Sequence, residues 1–194
     1  MTSDRPNQYS RGYSGGQYVI RIPSTGGSSP AVAGAPLPGT YTDASVSVSA
    51  SLVNPAGDQL IAVGCRAQGA NSGYRFLIVP ASGVTLAVRG GQPLAIMGLL
   101  SIYQTSPAIH TGVEPNQLQL ECHGSTIDAS INGRQVASVH DYTFRSGQMW
   151  IEVGKMPSPV PVLPGEAGQP PLSTPAGGAV EGHFSNLVVT QLAP

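Results

Sequence analysis

The segment that decides the fold is Asn116–Gly147, which reads NQLQLECHGSTIDASINGRQVASVHDYTFRSG. Two short runs in it alternate apolar with polar residues, and their apolar members are Leu118, Leu120 and Cys122, then Ile127, Ala129 and Ile131. Alternation with a period of two between turn signals is typical of strands that bury one face. The dipeptide Asn132-Gly133 follows, and it favours a two-residue hairpin turn because both residues tolerate a positive φ. The segment therefore predicts a meander of three antiparallel strands.

Further alternating runs lie on both sides of this segment. The candidate strands are residues 17–22, 42–53, 60–67, 73–79, 84–88, 94–101, 148–154 and 184–192. In the run 42–53, apolar residues alternate with serine, which is typical of a sheet with one solvated face. Regularly spaced short strands between turn signals indicate a β-sandwich. We therefore predict an all-β fold of two antiparallel sheets, in which strand 17–22 pairs with the last strand.

Two long segments differ in composition from the rest of the chain. Residues 23–40 and 155–180 are rich in proline and glycine and show no apolar periodicity. This composition predicts long surface loops. A length of 194 residues fits a single domain over 1–194, with a core at about residues 41–192 and an N-terminal arm over 1–40.

Charge and hydropathy argue against two classes of partner. Only 10% of the residues are charged, the formal net charge is −1 and no basic cluster is present, so we expect no nucleic-acid binding. No run of about 18 consecutive apolar residues occurs, so we predict no membrane span in this chain. Residues 1–6 lack the basic and apolar regions of a secretory signal. The protein therefore works where it is made, or it is a domain excised from a larger protein.

A set of short motifs resembles a known family. The motifs are Gly64-Cys65-Arg66, Asn116-x-Leu118, Cys122-x-Gly124, Ile131-Asn132-Gly133, Asp141-x-Thr143-Phe144 and Phe184-Ser185-Asn186. Together they resemble the concanavalin A-like jelly-roll modules of laminarinase-like and laminin G-like type, which occur in bacterial extracellular proteins and receptor-kinase ectodomains. The resemblance spans roughly residues 41–192. It implies a jelly-roll sandwich, an extracellular or cell-surface location, and an origin as part of a larger surface protein.

The two cysteines occupy core-facing positions in the predicted strands. Cys65 shares its parity with Ile61 and Val63, and Cys122 shares its parity with Leu120. Two cysteines without a CxxC motif or clustered histidines do not make a zinc site. We predict neither a metal site nor a catalytic thiol here. The pair forms a buried disulfide if the protein matures outside the cell, or two buried thiols if it does not; we favour the disulfide.

Catalytic constellations are not supported by the sequence. Laminarinases use paired carboxylates on one strand, because retaining cleavage needs two carboxyl groups about 5–5.5 Å apart. The ten acidic residues include no pair two positions apart on one strand, and Glu121 and Asp128 are expected to face each other across a hairpin as solvated acids. The four histidines are scattered in turns and loops, and neither a G-x-S-x-G elbow nor a D-x-D-x-D-G calcium loop is present. We predict no enzyme activity and no cofactor.

Trp150 is the only tryptophan, and its parity places it with Glu152 on the outer face of its strand. An aromatic ring on the concave face of a jelly roll could stack on a sugar, with Arg66 or Arg75 supplying hydrogen bonds. The alternative, which we favour, is that one of the proline-rich segments covers the ring, since large exposed aromatics without a partner are uncommon. The candidate ligand-binding residues are accordingly Trp150, Arg66, Arg75 and Glu152.

The function that these observations favour is a non-catalytic extracellular recognition or adhesion module with a carbohydrate or protein partner. The rival interpretation is a structural subunit of a surface layer, filament or capsid decoration. Low charge and uncharged proline-rich segments would suit packing in such a homo-oligomer. Because a fold does not fix a function, the ligand has to be argued from the site.

Overall fold

The structure is a computed structural model that describes residues 2–5, 9–24, 32–69, 72–90, 98–101, 104–155 and 178–193. Its strands are β1 (Thr2–Arg5), β2 (Tyr9–Ser14), β3 (Gln17–Ile22), β4 (Val32–Pro36), β5 (Ala44–Leu52), β6 (Gln59–Ala67), β7 (Tyr74–Val79), β8 (Val84–Arg89), β9 (Gly98–Leu99), β10 (Gln104–Thr105), β11 (Asn116–His123), β12 (Thr126–Ile131), β13 (Arg134–His140), β14 (Gln148–Lys155) and β15 (Val180–Gln191). A single 3₁₀ turn, Pro80–Ser82, is the one helical element in these ranges. No helix among the described residues is long and apolar enough to cross a membrane.

The strands form two antiparallel sheets. The eight-stranded sheet has the order β1-β2-β3-β15-β5-β11-β12-β13, and the seven-stranded sheet has the order β10-β8-β7-β6-β14-β4, with β9 paired to β8. The prediction of an all-β antiparallel sandwich is confirmed. The predicted pairing of strand 17–22 with the last strand is confirmed as well, because Val180 lies opposite Ile22 and Phe184 opposite Tyr18.

The core lies between the two sheets and is built by alternate residues of each strand. On β5 the side chains of Val46 and Val48 have no exposed area, and on β14 the same holds for Val153. The inward parities predicted for these strands are therefore correct. The core also takes in Ile20, Ile22, Ala33, Ala35 and Leu37. It consequently begins before residue 41, and the predicted N-terminal arm contributes to it.

The central meander has the predicted geometry. β11 pairs with β12 in unbroken register from Leu118 opposite Ile131 to His123 opposite Thr126. At the next turn the backbone φ is +50° at Asn132 and +79° at Gly133. Two successive positive φ angles define the mirror-image turn that suits a tight hairpin. The Asn132 side chain reinforces the turn by accepting a hydrogen bond of 2.8 Å from the backbone N–H of Gln117.

The segment 23–40 is not the continuous loop that its composition predicts. Residues 32–36 form β4, an edge strand that pairs with β14, with Trp150 opposite Pro36 and Glu152 opposite Gly34. Its sequence, VAGAP, has small residues and little apolar contrast, so the strand is specified by its partner rather than by its own alternation. Residues 25–31 and 156–177 lie outside the described part of the chain.

The seven-stranded sheet is buried on both faces at its centre. Leu60 and Ala62 on β6, and Leu77 and Val79 on β7, belong to the outer parity, yet each is at most 1% exposed. The solvated outer face predicted for strand 42–53 therefore does not extend to these two strands of the other sheet. A strand buried on both faces is almost continuously apolar, which matches the sequences of β6 and β7.

One covalent bond joins the two sheets. Cys65 on β6 and Cys122 on β11 form a disulfide, and their Cα atoms are 6.6 Å apart. Both residues have no exposed area. The structure thus decides between the two alternatives left open by the sequence, in favour of the disulfide.

Candidate functional site

The outer face of the seven-stranded sheet carries a compact group of polar and aromatic residues. Trp150 and Glu152 project from β14, Arg75 projects from β7, and Gly34 and Gly64 lie beside them on β4 and β6. We call these five residues the Trp150 cluster. The structure therefore brings together three of the four candidate ligand-binding residues predicted from the sequence.

Gly64 makes the group possible by leaving space across β6. It lies opposite Arg75 on one side and opposite Trp150 on the other. A Cβ atom at Gly64 would meet the Tyr74 carbonyl oxygen at 2.9 Å and the Trp150 Cβ at 3.3 Å. Because no side chain stands there, the Arg75 guanidinium can cross the strand and reach Glu152.

The Arg75 and Glu152 side chains form a buried ion pair. Arg75 Nε lies 3.4 Å from Glu152 Oε2, and the two side chains are 3% and 7% exposed. Arg75 Nη1 also donates to the carbonyl oxygen of Gly90. Burial raises the pKa of the Glu152 carboxyl, and the charge of Arg75 opposes that rise. A pair so well removed from water adds little net stability, whereas the loss of one partner is costly.

The Trp150 indole lies against the backbone of β4. A Cβ atom added at Gly34 would overlap the indole nitrogen, so only glycine fits beneath the ring. The indole N–H helps to lower the pKa of Glu152, yet Nε1 is buried and makes no hydrogen bond of normal geometry within the described part of the chain. Residue 34 of segment 23–40 therefore packs on Trp150, whereas the covering of the ring by a proline-rich segment stays a prediction, because residues 25–31 and 156–177 lie outside the described part of the chain. Trp150 nevertheless remains partly exposed.

Arg66 has a different place from the one predicted. Cys65 and Arg66 together oppose Met149 alone, which is a β-bulge, and Arg66 has a φ of +53°. The bulge reverses the parity of the strand. The Arg66 guanidinium consequently turns away from the outer face and is buried.

The donors of Arg66 are engaged at the end of the sandwich. Nε donates to the Thr42 carbonyl oxygen at 2.8 Å, Nη1 to the Phe144 carbonyl oxygen at 3.2 Å, and Nη2 to Asp43 Oδ1 at 3.0 Å. The prediction that Arg66 supplies hydrogen bonds beside Trp150 does not fit this geometry. Arg66 instead ties the bulge to the neighbouring loops.

The Asp141-x-Thr143-Phe144 motif forms a second network at that end. Asp141 Oδ1 accepts hydrogen bonds from Tyr74 Oη at 2.7 Å and from the Thr143 backbone N–H at 2.8 Å. Arg89 Nη1 lies 2.6 Å from Asp141 Oδ2. Burial alone would raise the pKa of Asp141, but these hydrogen bonds and the charge of Arg89 outweigh it and lower the pKa. Asp141 therefore holds the turn that follows β13.

Two acidic residues, Glu121 and Asp128, face each other across a hairpin, as the sequence predicts. Glu121 and Asp128 lie opposite each other on β11 and β12, and Asp128 accepts a hydrogen bond of 3.1 Å from Gln135 Nε2. Glu181 on β15 contacts Arg21 at 2.6 Å and His183 Nε2 at 2.7 Å. Among the described residues, no three His, Cys, Asp or Glu side chains come together in a way that could hold a metal ion.

Two members of the Trp150 cluster, Gly34 and Gly64, were not predicted as site residues. Gly64 precedes Cys65-Arg66 in a motif that the sequence does reveal, and its central position in an apolar run is the available signal for a close approach. Gly34 lies in a segment with several glycines, so no such signal singles it out.

The geometry matches solved structures of one fold. A carbohydrate-binding module, CBM66 from Bacillus subtilis, superposes with a TM-score of 0.58 at 14% identity over 94% of this chain and 91% of that chain. The fold of this chain is therefore a concanavalin A-like jelly roll. A Bacillus subtilis protein of unknown function with a galectin-like fold gives a TM-score of 0.59 at 12% identity, covering 95% and 87% of the two chains. A family 16 endo-glucanase from Bacteroides ovatus gives 0.58 at 12%, covering 96% and 86%.

At these identities the similarity establishes the fold alone. No family model matches the chain, and no curated protein matches it. Proteins with a jelly roll of this type include binding modules as well as glucanases. The function must therefore be inferred from the Trp150 cluster.

Proposed function

We propose that this protein is a non-catalytic glycan-recognition module in which Trp150 contacts the sugar. The observation that carries the proposal is the structure of the Trp150 cluster. Of the three side chains in the cluster, that of Trp150 keeps exposed area, while those of Arg75 and Glu152 are buried. The cluster therefore has the form of one aromatic contact surface on a buried polar support.

The Trp150 cluster contributes little to the free energy of unfolding, which favours a functional reason for its residues. Replacing a buried ion pair by apolar residues of similar volume is often neutral or stabilising. A buried donor without a partner costs about 1–3 kcal/mol, and Trp150 Nε1 has no partner at normal hydrogen-bond geometry among the described residues. Groups retained against stability are concentrated at functional sites. We infer that Arg75 and Glu152 position the indole, and that the exposed part of the ring binds ligand.

Sugar is the ligand class that fits this surface. The faces of a sugar ring carry C–H groups that pack on an aromatic ring, and its hydroxyls bond to polar groups around the ring. The outer-parity residues that flank the cluster on β6 and β7 are apolar and buried, and the Arg75–Glu152 ion pair is buried as well, so the contact surface that the described residues offer here is the uncharged indole. A neutral glycan therefore suits it better than an anionic or cationic ligand.

The comparisons and the disulfide support the same proposal. One protein of the same fold is a carbohydrate-binding module by its description. Disulfides form and persist in oxidising environments, so the Cys65–Cys122 bond is in keeping with an extracellular or cell-surface location. We include that location in the proposal.

A glycan array tests the proposal on three proteins: the wild type, Trp150→Ala and Tyr142→Ala. Tyr142 is 51% exposed in a loop of its own, so its replacement removes a different exposed ring. We expect one family of neutral glycans to bind the wild type and Tyr142→Ala, and to be lost with Trp150→Ala. Binding that survives Trp150→Ala unchanged would contradict the proposed site.

A further inference from the structure

A second surface lies at the end of the sandwich, in the loop between β13 and β14. This loop, residues 141–147, is held at several points. The Phe144 backbone N–H donates to Tyr74 Oη at 2.9 Å, Gln68 Nε2 donates to the Ser146 carbonyl oxygen at 3.0 Å, and Gly147 pairs with Tyr41. Together with the contacts of Asp141 and Arg66, these bonds fix the backbone of the loop.

Between the fixed points the loop presents one stacked pair. Tyr142 is 51% exposed, and the Arg145 guanidinium carbon lies 4.7 Å from the centre of its ring. The stacking orients the guanidinium without using its hydrogen-bond donors. A rigid loop that exposes a tyrosine and an oriented arginine has the composition found at binding hot spots.

Arg145 differs from most other arginines of the described structure because no described carboxylate forms an ion pair with it. Arg21, Arg66, Arg75 and Arg89 each lie within 4.0 Å of a carboxylate. Arg145 makes no ion pair with a carboxylate of the described residues. Asp141, the acidic residue of the loop, is already taken by Arg89 and Tyr74.

We propose that Tyr142 and Arg145 form a second binding site, which takes a uronate residue of an acidic glycan. The planar fork of the guanidinium matches a carboxylate, and the tyrosine ring offers a face and a hydroxyl to the sugar that bears it. The inference rests on the proposed function only in taking a glycan as the ligand, and its residues are separate from the Trp150 cluster.

The charge of the loop favours this ligand over an acidic protein or an anionic membrane. Acidic proteins and anionic membranes are bound by several basic side chains that act together. Within residues 141–147 the one arginine is Arg145, and nearby Arg89 is neutralised by Asp141. A single carboxylate beside a ring is the ligand group that one guanidinium beside a ring can recognise.

Titration with oligogalacturonate tests the inference, with the fully methyl-esterified oligomer as the uncharged match. We expect saturable binding of the acid form only, weakened about tenfold to a hundredfold by Tyr142→Ala and by Arg145→Ala. Arg145→Lys keeps the charge and loses the fork, so it should bind less tightly than the wild type. Arg134 is the control, because it is an exposed arginine at the start of β13, and Arg134→Ala should bind as the wild type does.

The outcomes separate this inference from the proposed function. Trp150→Ala should leave oligogalacturonate binding unchanged, and Tyr142→Ala should leave neutral-glycan binding unchanged. If Arg145→Ala binds oligogalacturonate as well as Arg134→Ala does, the inference is wrong, whatever Trp150 does. Equal binding of poly-glutamate through Tyr142 and Arg145 would also overturn it, in favour of an acidic protein partner.

Discussion

At the scale of single residues, the absence of a side chain at Gly34 has as much effect on the site as the presence of one at Trp150. The indole nitrogen occupies the place where a Cβ atom of residue 34 would stand. The ring orientation is therefore specified from a neighbouring strand. Gly64 has the same role for Arg75, since its missing side chain lets the guanidinium cross β6.

Gly34→Ala should displace the indole and weaken neutral-glycan binding. The added methyl group cannot be accommodated without movement of Trp150 or β4, and such overpacking costs about 1–3 kcal/mol in unfolding free energy. Gly178→Ala is the matched control, because a Cβ there meets nothing within 4 Å. Urea unfolding and glycan binding should both be unchanged in the control. Wild-type stability and binding in Gly34→Ala would show that the ring is not seated as described.

The Arg75–Glu152 pair should respond to single and double replacement in different ways. Arg75→Met leaves the Glu152 carboxyl buried without its cation, so we expect a loss of about 3–5 kcal/mol in unfolding free energy. The double variant Arg75→Met/Glu152→Leu should recover most of that loss. Arg21→Met breaks a pair whose side chains are 45% and 26% exposed, and it should cost at most about 1 kcal/mol. Equal losses at the two sites would refute the assignment of a buried pair.

At the scale of strands and loops, the sequence predicts those elements that carry their own pattern. β11 and β12 alternate cleanly and an Asn-Gly turn leads into β13, so the meander was predicted correctly; the register shift between β12 and β13 at Ala129 and Ser130 was not. β4 was missed because its five residues, VAGAP, have small side chains and receive their register from β14. The alternation of apolar and polar residues shows which face a strand buries. It does not show which neighbouring strand will pair with a segment, such as β4, that has little alternation of its own.

The candidate site could be predicted in part for the same reason. Strict alternation placed Arg75, Trp150 and Glu152 on one face of the seven-stranded sheet, and the structure agrees. Arg66 was placed on that face by the same rule and is not there, because the bulge shifts the register by one residue. The positive φ of Arg66 within a strand cannot be read from the sequence, since the position of a bulge is set by the packing of neighbouring strands.

The loop that follows β13 should give the protein a measurable dependence on acid. The pKa of Asp141 is lowered from 3.8, so its contribution to stability is fully present above about pH 5 and is lost as the pH falls through the lower native value. Asp141→Asn removes that contribution. We expect the difference in unfolding free energy between the wild type and the variant to be largest near neutral pH and to shrink towards pH 2. A difference that stays constant over this range would contradict the lowered pKa.

At the scale of the whole molecule, the disulfide joins sheets that otherwise meet through side-chain packing. Cys65 and Cys122 are 57 residues apart, so the bond closes a long loop in the unfolded chain. In the chain-entropy model such a bond adds about 4 kcal/mol. Cys65→Ala/Cys122→Ala should unfold at lower urea concentration by a comparable free energy. Its unfolding should not respond to reductant, whereas that of the wild type should; a wild type insensitive to reductant under unfolding conditions would speak against the bond.

The central claim is that a sugar binds at Trp150, on the outer face of the seven-stranded sheet. Trp150 is the only tryptophan of the chain, so its fluorescence reports on that one place. The most direct measurement is the emission of the wild type during titration with the neutral glycan that binds best on the array. The account predicts a saturable change in emission, with a midpoint equal to the dissociation constant from calorimetry, and a midpoint shifted to higher glycan concentration in Gly34→Ala. Binding seen by calorimetry without any change in tryptophan emission would contradict it.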